Sequence, residues 1–164
     1  MKSNRQFKTL TFAGYITILF VFMSLGPVCS IAAGFTMVSV AGEKVNLRQS
    51  PSTQSPVLWE LGQGFPLKII GRKGKWLKVS DFESDVGWIH EDLVARKPHL
   101  IVKIGKNKKT RINVRSGPGT NYEIIGKAEY GVVFETLARQ SGWVKVRHED
   151  GLIGWIKRSL LWGW

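Results

Sequence analysis

The chain nearly lacks cysteine. Its single cysteine, Cys29, lies in an apolar N-terminal segment, so the rest of the chain contains no pair for a disulfide, no thiolate metal site and no Cys nucleophile. His-Glu-x-x-His and Gly-x-Ser-x-Gly motifs are also missing, and His90, His99 and His148 do not have the spacing of metal ligands. These absences argue against an enzyme and against a bound metal or other cofactor.

The N-terminal segment 1–33 has the layout of a secretory signal peptide. Basic residues precede an uncharged apolar run at 10–25, and Ser30-Ile31-Ala32 supplies the small residues that a signal peptidase reads. We expect this segment to direct export to the periplasm or cell envelope, with cleavage near Ala32. The run is shorter than the roughly 20 residues that span a bilayer comfortably. An uncleaved membrane anchor is the second interpretation, and a lipidated Cys29 is the third.

Acidic side chains are scarce, because 12 Asp and Glu stand against 24 Lys and Arg for a net charge of +12. Nucleic acid is the usual first expectation for so basic a protein, but it is not the standing partner of an exported chain. Anionic envelope polymers or phospholipid surfaces are better candidates. The plain alternative is that the basic residues only solvate the surface.

One sequence pattern occurs twice, and the segment 45–94 aligns with the segment 112–161 without a gap. Val45-Asn46-Leu47-Arg48 returns as Ile112-Asn113-Val114-Arg115, Trp76-Leu77-Lys78-Val79 as Trp143-Val144-Lys145-Val146, and Gly87-Trp88-Ile89 as Gly154-Trp155-Ile156. Such a repeat indicates a duplicated folding unit. We assign residues 34–94 to the first copy, 99–164 to the second and 95–98 to a short linker, so the copies should touch.

Each copy is predicted to consist of short β-strands. Apolar and polar residues alternate in the repeated segments, turn residues separate them, and sustained helical periodicity is missing. Short strands at this spacing favour an all-β fold with one small barrel in each copy.

The ordered motifs resemble those of the bacterial SH3-type domain, an extracytoplasmic relative of the Src-homology-3 barrel. The resemblance rests on Asn-x-Arg before a Pro-containing loop, a mid-domain Gly, Trp-x-Lys-Val and Gly-Trp-Ile, in this order in both copies. The first copy departs from it in the loop, where Gln49-Ser50 and Ser52 replace Ser116-Gly117 and Gly119. The resemblance implies two tandem, partly open five-stranded barrels that bind peptidoglycan or peptides.

The alternation also predicts a binding face. Trp143 and Lys145 share one side of their strand and the valines between and after them share the other, so Trp143 and Lys145 should lie outside the barrel. Trp76 should do the same in the first copy. In peptide-binding SH3 relatives a Trp at a similar position lines the ligand groove. Alternatively, Trp143 covers the barrel end or packs on the other copy.

Other residues beside the loops are weaker candidates. Tyr122 follows the second Pro-Gly loop and could flank the groove, where the first copy has Ser55. Arg115 could meet a ligand carboxylate, or it could tie the loop to backbone carbonyls. Trp88 and Trp155 are expected to serve structural packing. These differences favour the second copy as the one that binds.

A basic loop precedes the second Asn-x-Arg motif and has no equal in the first copy. Its cations are Lys103, Lys106, Lys108, Lys109 and Arg111. They could meet an anionic polymer, a lipid surface or an acidic partner, or they could form a solvated hairpin tip.

The leading hypothesis is an exported, non-catalytic module that binds peptidoglycan or an envelope peptide or protein. The binding residues would be Trp143, Tyr122, Arg115, Trp76 and Lys145. The alternative is a scaffold or assembly protein whose aromatic faces pack between the copies or against a partner. That alternative predicts Trp76 and Trp143 buried between the two copies.

Overall fold

The computed structural model describes residues 37–106 and 110–164. The expected signal peptide, and Lys108 and Lys109 of the basic loop, lie outside the described residues. Across these two ranges, no helix is both long and apolar enough to cross a membrane. Apart from two short 3-10 helices, at Glu91–Leu93 and Arg158–Leu160, the regular structure described consists of β-strands, which confirms the predicted fold class.

The first copy is one antiparallel sheet of seven strands. They are β1 (Met37–Val40), β2 (Val45–Arg48), β3 (Val57–Leu61), β4 (Pro66–Lys73), β5 (Trp76–Ser80), β6 (Val86–His90) and β7 (Val94–Ala95). Their order across the sheet is β3-β2-β6-β5-β4-β1-β7. The central strands β2, β5 and β6 therefore carry the repeated motifs side by side.

The second copy repeats this sheet. Its strands are β8 (His99–Val102), β9 (Ile112–Arg115), β10 (Ile124–Ala128), β11 (Val133–Gln140), β12 (Trp143–Arg147), β13 (Ile153–Lys157) and β14 (Leu161–Gly163), in the order β10-β9-β13-β12-β11-β8-β14. The strands from β9 to β14 begin at the positions that the repeat assigns to them. In contrast, β8 begins at His99, ahead of Ile104, which the repeat would align with the start of β1. The connection from β8 to β9 is longer for this reason, and it contains the basic loop.

Neither barrel is closed, in line with the partly open barrels that the resemblance implies. Among the described strands, β3 and β7 are the two ends of one sheet, and β10 and β14 are the ends of the other. Each sheet has seven strands rather than five. In the first copy the short strands β1 and β7 extend the sheet beyond β4, and in the second copy β8 and β14 extend it beyond β11. A register shift interrupts β4 after Ile69 and β11 after Thr136. Such bulges bend a strand, which curls each sheet around its own core.

Each copy has a separate apolar core built by alternation along the strands. In β5, Leu77 and Val79 are buried, and in β12, Val144 and Val146 are buried. Other large buried side chains are Leu47, Leu67 and Ile89 in the first copy and Leu100, Phe134, Ile156 and Leu161 in the second. Burying a side chain of this size contributes about 1.5–3 kcal/mol. Packing of this kind stabilises the copies without a disulfide.

The Gly of the Gly-Trp-Ile motif belongs to the core. A Cβ atom on Gly87 would lie 2.5 Å from Cγ of Leu47, and one on Gly154 would lie 2.5 Å from Cγ1 of Val114. Since residues two apart share a strand face, the Gly and Ile of the motif point inward and the Trp points outward. The motif therefore lets β6 and β13 approach their neighbouring strands closely.

The linker is hydrogen-bonded to both copies. Ser39, in β1, donates its hydroxyl hydrogen to the Lys97 carbonyl at 2.8 Å. The backbone N–H of Thr136, in β11, donates to the Pro98 carbonyl at 2.9 Å. Ala95, placed in the linker from the sequence, is instead the last residue of β7 and pairs with Ser39, because β7 extends the sheet edge slightly further than expected. Hydrogen bonds to both copies therefore restrain the linker.

An aromatic cluster joins the copies, which touch as expected. The ring of Phe82, in the turn after β5, lies 5.3 Å from that of Tyr130 in the second copy and 6.0 Å from that of Phe65 in its own copy. Glu83 accepts a hydrogen bond from the Tyr130 hydroxyl and pairs with Lys106 Nζ at 2.6 Å. Turn residues thus make this aromatic contact, and strand β4 of the first copy also lies against β8 and β14 of the second.

Trp76 and Trp143 do not fill this contact. Both are only half-buried, and each projects from the middle strands of its own copy. The assembly hypothesis, which buries both tryptophans between the copies, is therefore wrong on this point. The strand alternation turns both rings to the outer side of their own copy, and the ring contact at the junction is made by Phe82 and Tyr130 instead.

Candidate ligand-binding face

The three central strands of each copy present a set of side chains on the side away from the core, which we call the outer face. In the first copy these are Asn46, Arg48, Trp76, Lys78, Trp88 and His90. In the second they are Asn113, Arg115, Trp143, Lys145, Trp155 and Lys157. Except for the exposed Lys157, all are half-buried. The outward orientation predicted for Trp76, Trp143 and Lys145 is thereby confirmed.

A tryptophan lies between two cations on each outer face. In the second copy Trp155 is paired across the strands with Arg115 on one side and with Lys145 on the other. Residues directly opposite each other have Cβ atoms about 4.5–5.5 Å apart. We call this arrangement the cation–Trp–cation row. The first copy has the same row, with Trp88 between Arg48 and Lys78. Its aromatic ring and positive charges suit a ligand that combines an apolar surface with carboxylates.

The structure adds Trp155 to the candidate site residues. The sequence singled out Arg115 and Lys145 separately and interpreted Trp155 as structural packing. The register brings the two cations together through this ring. The signal was present in the alternation of Gly154-Trp155-Ile156, which turns the Trp to the same side as Lys145 once the two strands are paired.

A second row adjoins the first and differs between the copies. Trp76 is paired with His90, and the two rings meet edge to face with centroids 5.4 Å apart. At the equivalent place Trp143 is paired with Lys157. The second copy therefore has a further cation where the first has a second ring.

The outer face of the first copy contains a cavity of about 460 Å³. Its lining includes Asn46, Arg48, Trp76 and His90 from the three strands, together with the loop residue Thr53. The volume lies within the range of about 300–1,000 Å³ common for small-molecule sites. The sequence favoured the second copy as the binding one, whereas this described cavity lies in the first.

The repeated arginines close the loops beside the outer faces. Arg48 Nη1 donates to the Ser55 carbonyl and Arg115 Nη1 donates to the Tyr122 carbonyl, each at 2.7 Å. These bonds support the loop-tying interpretation. A guanidinium has five N–H donors, so one bond to the loop leaves others for a ligand. Contact of Arg115 with a ligand carboxylate stays a prediction.

Tyr122 is placed by the glycines of its loop. A Cβ atom on Gly117 would lie 2.2 Å from the Tyr122 ring, and one on Gly119 would lie 3.2 Å from it. The ring therefore lies over the loop backbone, and the residue is 44% exposed. In the first copy Ser55 is buried instead and accepts a hydrogen bond from the Ser50 backbone N–H at 2.8 Å. The first copy therefore lacks both the glycines of this loop and the tyrosine whose ring they make room for.

The basic loop is partly neutralised within the protein. Lys106 pairs with Glu83, and Arg111 pairs with Glu129 at 2.8 Å. Exposed ion pairs contribute little energy, but they reduce the positive charge available to an external polymer or lipid. A role for this loop in binding stays a prediction.

The match with a known family is extensive. The model of the bacterial SH3 domain matches residues 41–95 and 108–163. The chain belongs to the bacterial SH3 domain family. Both matched ranges contain the outer-face residues of one copy, from the Asn-x-Arg strand to the Gly-Trp-Ile strand.

Individual relatives are more distant. The chain is 24% identical over 147 residues to YrvJ of Bacillus subtilis, which bears the name of an N-acetylmuramoyl-L-alanine amidase; the match covers 86% of this chain but only 28% of that protein. An NlpC/P60 family protein from Bacillus cereus is 12% identical with a TM-score of 0.36, over 77% of this chain and 56% of that one. The LysPBC5 endolysin CBD is 17% identical with a TM-score of 0.32, over 78% of this chain and 93% of that one. TM-scores this low carry no functional implication.

Proposed function

We propose that this bacterial SH3 protein is a non-catalytic module that binds peptidoglycan through its outer faces. The observation that carries the proposal is the cation–Trp–cation row, which both copies present beside a second aromatic residue. A duplicated binding surface suits a polymer, which offers the same unit many times. Export through residues 1–33 would bring the protein to this polymer.

The chemistry of the faces supports this ligand. Peptidoglycan combines sugar rings, which have apolar sides, with peptide carboxylates. A half-exposed Trp offers a large apolar surface, and Arg and Lys beside it offer charge-assisted hydrogen bonds to carboxylates. The name of the Bacillus subtilis relative, which contains N-acetylmuramoyl-L-alanine, supports the same class of ligand.

Sedimentation with purified sacculi tests the proposal. We expect the protein to pellet with the sacculi and to release no soluble muropeptides from them. Trp76→Ala and Trp143→Ala should each weaken binding by about 2 kcal/mol, or roughly thirtyfold, because the loss of a Trp contact commonly has such an effect at an interface. Trp59→Ala is the matched control, since Trp59 is 55% exposed on β3, outside the outer face.

Two results would contradict the proposal. One is wild-type protein that stays entirely in the supernatant. The other is a Trp59→Ala variant that loses as much binding as Trp143→Ala, since binding would then follow exposed tryptophan in general. Tyr122→Ala and Lys145→Ala complete the series, and we expect each to weaken binding less than the loss of Trp143.

A further inference from the structure

The cavity on the outer face of the first copy has an aromatic wall made of two residues. Trp76 and His90 both line it, and their ring planes stand at 89° to each other with centroids 5.4 Å apart. Each ring offers apolar surface to a ligand in the cavity. A ligand that fits here must therefore have an apolar side of its own.

The polar groups around this wall include hydrogen-bond acceptors as well as donors. Asn46 carries an amide and Thr53 a hydroxyl, and each of these groups can donate and accept. Asp92 also lines the cavity and carries a carboxylate, which only accepts. Its Oδ2 atom lies 3.4 Å from Nδ1 of His90, and its side chain is 69% exposed, so the carboxylate remains accessible to a ligand.

Two cations, Lys44 and Arg48, also line the cavity and make a carboxylate the rival ligand. Arg48 already donates one hydrogen bond to the Ser55 carbonyl at 2.7 Å. A ligand carboxylate could accept from the remaining donors, but it would also meet the like charge of Asp92. A neutral hydroxyl group can donate to Asp92 and accept from Arg48, so it suits the complete lining better.

The second copy provides an internal comparison, because it differs from the first at two of these positions. Lys157 takes the place of His90 in the same strand pairing, and Ser159 takes the place of Asp92. The other polar and aromatic positions keep their chemistry, as Arg111, Asn113, Arg115, Thr120 and Trp143. The second face thus exchanges a ring and a carboxylate for a cation and a hydroxyl, which shifts its preference towards anions.

We propose that the first-copy cavity binds a sugar ring of the peptidoglycan glycan, with Trp76 and His90 as its apolar wall and Asp92 as an acceptor for sugar hydroxyls. A sugar ring packs its C–H side on aromatic rings, and its hydroxyls both donate and accept hydrogen bonds, as the lining requires. This inference rests on the proposed binding of peptidoglycan. It assigns the sugar to the first face and leaves the peptide carboxylates to the second.

Nuclear magnetic resonance titration of the full chain tests this assignment, with the indole N–H signals of Trp76 and Trp143 as reporters of the two faces. The neutral probe is chitotetraose, an oligomer of N-acetylglucosamine, and the anionic probe is N-acetyl-alanyl-glutamate. We expect chitotetraose to bind the first face at least roughly tenfold more tightly than the second, the effect of one hydrogen bond to a charged group. The anionic probe should favour the second face. Equal affinity of the two faces for chitotetraose would overturn the proposal, as would stronger binding of the anionic probe at Trp76.

Exchange of the two differing positions locates the effect. His90→Lys with Asp92→Ser should remove the preference of the first face for chitotetraose, and Lys157→His with Ser159→Asp should raise the affinity of the second face for it. The matched control is His148→Lys with Asp150→Ser, which changes another His–Asp pair, 2.8 Å apart, outside the outer faces. A preference that persists in the His90→Lys, Asp92→Ser variant would refute the assignment.

Sedimentation with sacculi separates this inference from the proposed function. Wild-type protein that pellets with sacculi but shows no shift of the Trp76 signal with chitotetraose would refute the sugar assignment alone. Wild-type protein that does not pellet would refute peptidoglycan binding itself, and with it the assignment of glycan to this cavity.

Discussion

Replacement of Gly154 by Ala should destabilise the second copy severely. The added Cβ atom would lie 2.5 Å from Val114 Cγ1 and 3.0 Å from the carbonyl oxygen of Arg115. The second neighbour is backbone and cannot rotate away, so β13 must move away from β9. Overpacking of a core costs about 1–3 kcal/mol, and we expect a loss near the upper end of that range. That is a large part of the roughly 5–15 kcal/mol that stabilises a domain.

Two other glycines calibrate this expectation. The three nearest contacts of a Cβ atom on Gly87 are all with the side chain of Leu47, at 2.5–3.0 Å. This side chain can shift, so Gly87→Ala should cost about 1 kcal/mol. Gly71→Ala meets Lys78 Cβ at 3.5 Å, an ordinary contact, and should change stability by less than about 0.5 kcal/mol.

Urea denaturation followed by circular dichroism gives the free energy of unfolding of each variant. The predicted order of loss is Gly154, then Gly87, then Gly71. The reasoning is refuted if Gly154→Ala is as stable as Gly71→Ala, or if Gly87→Ala is the least stable of the three.

Further predictions concern the junction between the copies. Burial lowers the pKa of His99 below 6.5, so the unfolded chain binds this proton first as the pH falls. The free energy of unfolding should therefore be highest above pH 6.5 and decline below it. His99→Gln should reduce this decline, as measured by urea titrations at several pH values. Ser39→Ala removes the hydrogen bond to Lys97 and should cost about 1 kcal/mol in the same assay. Phe82→Ala removes the ring contact with Tyr130 that links the two copies. Calorimetry should then resolve separate unfolding transitions for the two copies, whereas in the wild type we expect the two transitions to lie closer together. An unchanged calorimetric profile would contradict this.

The outer faces could be predicted because a strand has a period of two residues. Once Val144 and Val146 are assigned to the core, Trp143 and Lys145 must face outward, and the structure has them there. The duplication strengthened the prediction, since a misassigned strand would have to be misassigned twice. Local alternation thus carries information about a surface that is formed by distant segments.

Other features depend on pairings that no local pattern encodes. The partnership of Arg115 and Lys145 with Trp155 requires knowledge that β13 lies between β9 and β12. The contact of Phe82 with Tyr130 joins two turns, where side chains have no fixed period. The two strands that extend each sheet beyond the expected five likewise arise from the pairing of short segments far apart in the chain, such as β1 with β7.

The hydrogen bonds on either side of the linker have a consequence for affinity. Because Ser39 donates a hydrogen bond to Lys97 and Thr136 donates one to the adjacent Pro98, the linker restrains the orientation of the two copies before any ligand arrives. If the outer faces bind a long polymer as proposed, engagement of the second face is an intramolecular step with a high effective concentration and a smaller loss of entropy. A short fragment that reaches one face gains none of this avidity. The protein should therefore discriminate between intact polymer and its fragments by ligand length, even where the chemistry of each contact is the same.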